Sequence, residues 1–163
     1  MIHDPSGRTG YLAWQLSHAM VPRLERALRP LDLTLAQYNA LVLAALVPGI
    51  SSAELARRSN ITAQSMGAAV NDLIRRGLLE RRAHPTNRRV MQLHITDEGR
   101  ELAERSQGLM AAVDAEAVSV LSPEEHAAAR ALLRRLVEHL NPDALRFDAA
   151  PVAPRRTPGR PEA

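Results

Sequence analysis

The sequence predicts a mainly α-helical fold carrying one small β-hairpin. Three observations predict it. Apolar residues recur at helical spacing along most of the 163-residue chain. Capping signatures punctuate those stretches. Only two short β-prone runs stand out, about 78–82 and 90–95, on either side of the turn-forming His84-Pro-Thr-Asn87. Aromatic residues make up 2% of the chain, so the core must come from Leu, Val and Ala, and Leu and Ala favour helix.

The elements follow in order. Residues 1–8 read as a flexible N-terminus. From Tyr11 to Leu28, apolar residues at 12, 16, 20, 24 and 28 form a helical stripe, which Pro22 is expected to interrupt and bend. Thr34-Leu-Ala-Gln37 is a capping box opening a second helix to about Val47, ended by Pro48-Gly49. Ser51-Ser-Ala-Glu54 is another box, opening a short helix to about Ser59. Thr62 caps a fourth helix that stops at Gly77. After the hairpin, Thr96 caps a long helix to about Val120, and its early acids Asp97 and Glu98 suit the helix dipole. Ser122-Pro-Glu-Glu125 opens the last helix, 123–140. Residues 142–163 hold five prolines and four arginines and read as a disordered tail. Such a tail is either inert or adds non-specific affinity for nucleic acid.

Charge distribution narrows the function more than net charge does. The formal charge is only +3, yet residues 51–89 carry eight arginines (57, 58, 75, 76, 81, 82, 88, 89) against Glu54, Asp72 and Glu80. That concentration is the footprint of a phosphate-facing surface. All 21 basic residues are arginine; bidentate phosphate and guanine recognition would use this, and a biased base composition would equally produce it. Enzyme classes are not supported: the chain has no cysteine, no glycine-rich phosphate loop and no H-E-x-x-H. Its histidines (3, 18, 84, 94, 126, 139) are scattered, with no two at metal-ligand spacing. The expectation is therefore no catalytic residue, no metal and no cofactor. The first thirty residues are amphipathic rather than a signal peptide, and the longest apolar run, ALVLAALV at 40–47, is too short to span a membrane. A cytoplasmic, nucleoid-associated location without membrane contact is expected.

The third of the three central helices is the candidate reader of DNA. Met66, Ala69, Val70, Leu73 and Ile74 fall on one face and should bury, while Gln64, Ala68, Asn71 and Arg75 fall on the other. Amide and small side chains near a helix start suit base edges in the major groove. The same stripe also fits an ordinary solvated face. Beside such a helix the hairpin reads as a wing whose tip, Arg88, enters the minor groove; a surface hairpin without a partner is the alternative.

LTLAQYNALVLAAL, SSAELARRSNITAQSMGAAVNDLIRRGLLERR and HPTNRRVMQLHITDEG together resemble the MarR family of winged-helix regulators over about residues 10–140. The most specific part is G-L-L-x-R, then the wing with its arginine pair, then I-T-x-x-G. The resemblance implies a winged helix-turn-helix, 34–96, flanked by N- and C-terminal dimerisation helices, 9–33 and 97–141. It implies a homodimer, usually a repressor, on a pseudo-palindromic double-stranded DNA operator, released by a small anionic or aromatic effector. Carried over by position, the recognition helix is 62–76, with Thr62, Gln64, Ser65, Ala68, Asn71 and Arg75 at DNA. The wing comprises Arg82, His84, Asn87, Arg88 and Arg89. Members commonly carry acids where this chain has His84 and Asn87, which removes the usual carboxylate partner of Arg89 and makes the wing more basic.

Two further readings come from the residues. Leu102, Leu109, Val113, Ala117 and Val120 stripe the long helix, and Leu132, Leu133, Leu136, Val137 and Leu140 the last. A domain this thin cannot cover both, so a second copy is expected to, with intrachain packing the alternative. Trp14, His18 and Tyr38 are rare side chains here, and in the resembled family such positions could line the effector site; burial in the core or dimer interface is the other reading. The rival functions are an architectural DNA-binding protein without effector control and a protein–protein adaptor.

Overall fold

A computed structural model describes residues 4–84 and 91–147. Its elements run α1 (Thr9–Leu28), α2 (Leu35–Leu46), α3 (Ser52–Arg58), α4 (Ala63–Arg75), β1 (Leu79–Ala83), β2 (Met91–Ile95), α5 (Asp97–Val118) and α6 (Pro123–Leu140). α1 is continuous through Pro22, which does not interrupt it.

Local chemistry starts the helices where the sequence places them. Thr34, Ser51, Thr62, Thr96 and Ser122 each accept the backbone N–H three residues on, at 3.0–3.2 Å, contacts typically worth about 1 kcal/mol each. Two boxes close from both sides: Gln37 Oε1 accepts the Thr34 N–H at 2.7 Å, and Glu125 Oε2 accepts that of Ser122 at 2.8 Å. The box expected at Ser51 stays half-made, because Glu54 is drawn to Arg58 instead.

Short turns occur in the described parts of the two terminal segments, residues 4–8 and 142–147. Asp4 accepts the N–H and hydroxyl of Ser6, both at 2.8 Å, around a short turn at Pro5–Gly7. Those bonds hold its exposed carboxyl below the usual range. Residues 142–147 form turns against α3 rather than opening a disordered tail at 142.

The core collects Leu28, Leu41, Ala44, Leu55, Met66, Val70, Leu73, Leu79, Leu93 and Ala103 from all three central helices, both strands, α1 and α5. The strands pair antiparallel, with Leu79 opposite Ile95 and Arg81 opposite Leu93. An isolated antiparallel bridge from Ile50 to Leu93, on the other side of β2, fastens the hairpin to the segment between α2 and α3. α6 buries none of its residues. Leu132, Leu133, Leu136, Val137 and Leu140 remain exposed, as do Leu12, Trp14 and Leu16 on α1. On α5, Leu102, Leu109 and Val113 are half-buried and Ala117 is exposed, while Val120, expected on this helix, lies just past its end and is also exposed.

The turn joining the hairpin to α5 is tightly built. The Thr96 hydroxyl donates to the Gly77 carbonyl at 2.8 Å, and the Thr96 N–H to that of Leu78 at 3.2 Å. A Cβ on Gly99 would sit 2.1 Å from the Leu78 carbonyl oxygen. That oxygen belongs to backbone anchored in the core, so it cannot step aside cheaply. Gly99→Ala is predicted to lower stability by roughly 1–3 kcal/mol, the usual cost of overpacking, read as a lower midpoint of urea or thermal unfolding. An unchanged midpoint would contradict the close approach.

Candidate nucleic-acid interface

The geometry of α4 is two-sided. Met66, Ala69, Val70 and Leu73 are buried and Ile74 is partly so, while Thr62, Gln64, Ser65, Ala68, Asn71 and Arg75 are all exposed on the other side. At its start the Thr62 hydroxyl donates to Ser65 Oγ at 2.8 Å and accepts the Ser65 N–H at 3.1 Å. The remaining free amides of that first turn present a partial positive charge to an approaching phosphate.

The hairpin contributes a residue that the reading of the sequence did not single out. Arg81 Nη2 donates to Asn71 Oδ1 at 2.6 Å. An arginine only donates, so the amide oxygen must face it, and the Asn71 NH2 group is left to donate outward. The oxygen keeps a second lone pair, so bidentate contact with adenine remains available. Strand alternation was the available signal. Successive side chains point to opposite faces, so only one of Arg81 and Arg82 can turn toward α4. It is Arg81; Arg82 instead pairs with Glu80.

Other arginines here are compensated. Arg75 pairs with Asp72 within α4, and Arg76 lies 3.7 Å from the same carboxylate. These are exposed or half-exposed pairs of small energetic value, which a phosphate can replace. Asp72 also accepts Gln37 Nε2 at 2.6 Å, and Arg76 Nη1 reaches the Asp32 carbonyl at 2.8 Å. The loop before α2 and the end of α4 are thereby tied together. Of the wing residues, Arg82 is exposed and His84 half-buried at the end of β1. Asn87, Arg88 and Arg89 lie outside the described residues.

Of the three residues considered for an effector, Trp14 and His18 touch each other. They lie against each other on α1, their rings tilted by 39° with centroids 4.1 Å apart, and Tyr11 stacks on Trp14 at 6.1 Å. His18 Nδ1 is 2.9 Å from the Trp14 carbonyl, which can only accept, so Nδ1 carries the proton and Nε2 faces away. Both side chains are exposed. Tyr38 is instead half-buried on α2 against the core, and that burial pushes its phenol upward. Among the described residues no ring contact or hydrogen bond links it to the α1 pair. An apolar hollow of about 800 Å³ runs along α6 and the start of α1, lined by Thr9, Ala129, Leu132, Leu133, Leu136 and His139 among others. No group of three or more potential metal-binding side chains occurs among the described residues, and no described helix is long and apolar enough to cross a membrane.

Known proteins are similar to this chain in sequence and fold. Residues 31–90, from the turn before α2 to the wing, match the sequence model of the MarR family. The chain is 32% identical over 127 residues to the HTH-type transcriptional repressor Rv2887 of Mycobacterium tuberculosis, covering 78% of this chain and 91% of the repressor. It is similar in three dimensions to the crystal structure of that M. tuberculosis MarR family protein in complex with p-aminosalicylic acid. The TM-score there is 0.70 at 31% identity, covering 80% of this chain and 98% of the other. It is similar also to the complex of the same protein with DNA, with a TM-score of 0.68 at 30% identity and the same coverage.

If Arg81 presets Asn71, the two act as one unit. Asn71→Ala is predicted to weaken binding to a preferred duplex by roughly 1–3 kcal/mol, the cost of one lost base contact. Arg81→Ala should weaken it in the same direction, and the double variant by clearly less than the sum. Fluorescence anisotropy on the four proteins measures this; additive losses would contradict the coupling.

Proposed function

This chain belongs to the MarR family of winged-helix transcriptional regulators, and from that premise we propose that it is a repressor. It binds a pseudo-palindromic operator as a homodimer, and a small anionic or aromatic compound releases it. The observation that carries this reading is the exposed polar face of α4, opposite its buried face, with Asn71 preset by an arginine from the adjoining strand. A groove-reading helix needs one anchored face and one set of oriented donors and acceptors.

The homodimer is supported by the uncovered apolar faces of α1 and α6. A single chain leaves Leu132, Leu136 and Leu140 in water at an energetic cost that a second copy would remove. Two copies also bring two α4 helices to successive major grooves, about one helical turn apart. Release by a small molecule is supported by the relative crystallised with p-aminosalicylic acid, an anionic aromatic compound. Trp14 and His18 are the candidates for contacting such a ring, through stacking and an outward Nε2. Tyr38, half-buried on α2, is the third candidate for the same site.

Anisotropy of a labelled duplex from immediately upstream of the gene, against a scrambled duplex at two salt concentrations, tests the reading. A regulator prefers its own duplex by several kcal/mol at both salts. An architectural protein binds both duplexes alike, with a steep salt slope. Arg88→Ala is predicted to weaken binding by roughly 1–3 kcal/mol. p-Aminosalicylate added to the complex should lower the anisotropy toward that of free DNA. Equal affinity for every duplex, including operators selected from a random pool, would contradict the repressor reading. Full affinity in the Arg88 variant would remove the wing from the interface.

A further inference from the structure

The C-terminal residues 141–147 reach back to α3, the first helix of the helix-turn-helix, across 84 to 88 positions of sequence. Asn141 Nδ2 donates to the Arg57 carbonyl at 3.3 Å, an oxygen at the end of α3 that also accepts the Asn60 N–H. Asp143 Oδ2 stands 3.4 Å from Arg57 Nε, and Asp143 Oδ1 is 3.8 Å from Arg146 Nη1. The Arg146 carbonyl accepts from Arg58 Nη1.

Arg58 makes this contact consequential. Its side chain is 2% exposed and pairs with Glu54, 3% exposed, one turn back on α3. A buried guanidinium is tolerated only while partners replace the water it has lost. Glu54 serves Nη2 and the Arg146 carbonyl serves Nη1, whereas Nε is buried with no partner among the described residues. The ion pair is therefore short of partners, and residues 141–147 supply one of the few it has. Leu55 and Ala56, between Glu54 and Arg58, are buried in the core beneath α4. The attitude of α3 thus bears directly on where α4 points.

We propose that residues 141–147 are a strap linking the end of α6 to α3, and that Arg58, held between Glu54 and the Arg146 carbonyl, is the positioning residue through which the strap sets the recognition helix. The proposal rests on the DNA-binding reading above. It gives the outer helices a route to the helix-turn-helix that bypasses α5: a shift of α6 pulls on α3 through its own C-terminal end. Both sites then bias one physical element, which is the requirement for real coupling.

The test uses the full chain and a duplex that the wild type selects from a random pool. Asp143→Arg sets an arginine against Arg57 and should expel the strap. Asp143→Asn removes the charge alone, with less risk to folding. The readout is the ratio of affinities for the selected and scrambled duplexes, which a uniform change in phosphate attraction leaves unmoved. Hydrogen–deuterium exchange in α3 is followed alongside.

The strap predicts that Asp143→Arg lowers the ratio at least tenfold and speeds exchange across Ser52–Arg58, with the mass in solution unchanged. Asp143→Asn should move both in the same direction by less, and the swap Arg57→Asp with Asp143→Arg should restore the ratio. A wild-type ratio in both Asp143 variants overturns the proposal. So does a lowered ratio that the swap fails to restore, or faster α3 exchange at an unchanged ratio. A wild type that selects no duplex overturns the DNA-binding reading first, and the strap's role in recognition with it.

Discussion

Everything else in this structure depends on the burial of one face of α4. Met66, Val70 and Leu73 are fully inaccessible, and each such side chain contributes roughly 1.5–3 kcal/mol when removed from water. Helical geometry then decides the rest. With those positions fixed inward, Gln64, Ala68, Asn71 and Arg75 have no choice but to face out, because 3.6 residues per turn put them on the far side. The surface proposed to face DNA is thus a consequence of core packing, and its precision is that of the core.

Polar contacts refine this frame without driving it. Gln37 completes the box at the start of α2 and also donates to Asp72, so one side chain aligns two helices. Arg81 sets the amide of Asn71. The Thr96 and Gly99 junction fixes the hairpin against α5, and the bridge from Ile50 to Leu93 fixes it against the loop before α3. Most of these are half-exposed hydrogen bonds of about 1 kcal/mol. Their value lies in orientation, since a contact held in place before binding costs less entropy when DNA arrives.

What could be read from the sequence was what neighbouring residues decide. Helix starts at Thr34, Thr62, Thr96 and Ser122 were legible because a cap and its partner amide are three residues apart. The two faces of α4 were legible because periodicity encodes them. Long-range choices were not. Nor were choices between two local partners: Glu54 had the Ser51 N–H three residues back and Arg58 four residues on, and it pairs with Arg58. The role of residues 142–147 was hidden because composition alone suggested disorder, while their partners lie more than eighty residues away. Arg81 was within reach of strand alternation, yet the adjacent Arg82 competed for the same role until Glu80 claimed it. Trp14 and His18 touch because they stand four residues apart on one helix, whereas the placing of Tyr38 relative to them depends on how α1 and α2 pack.

The most direct test of the central claim, that α4 reads the major groove with the face opposite its core, is hydroxyl-radical and methylation footprinting on a selected duplex. The account predicts two protected half-sites about one helical turn apart, with interference from methylation at major-groove base positions within each. Continuous protection that ignores sequence, or interference confined to the minor groove, would contradict it.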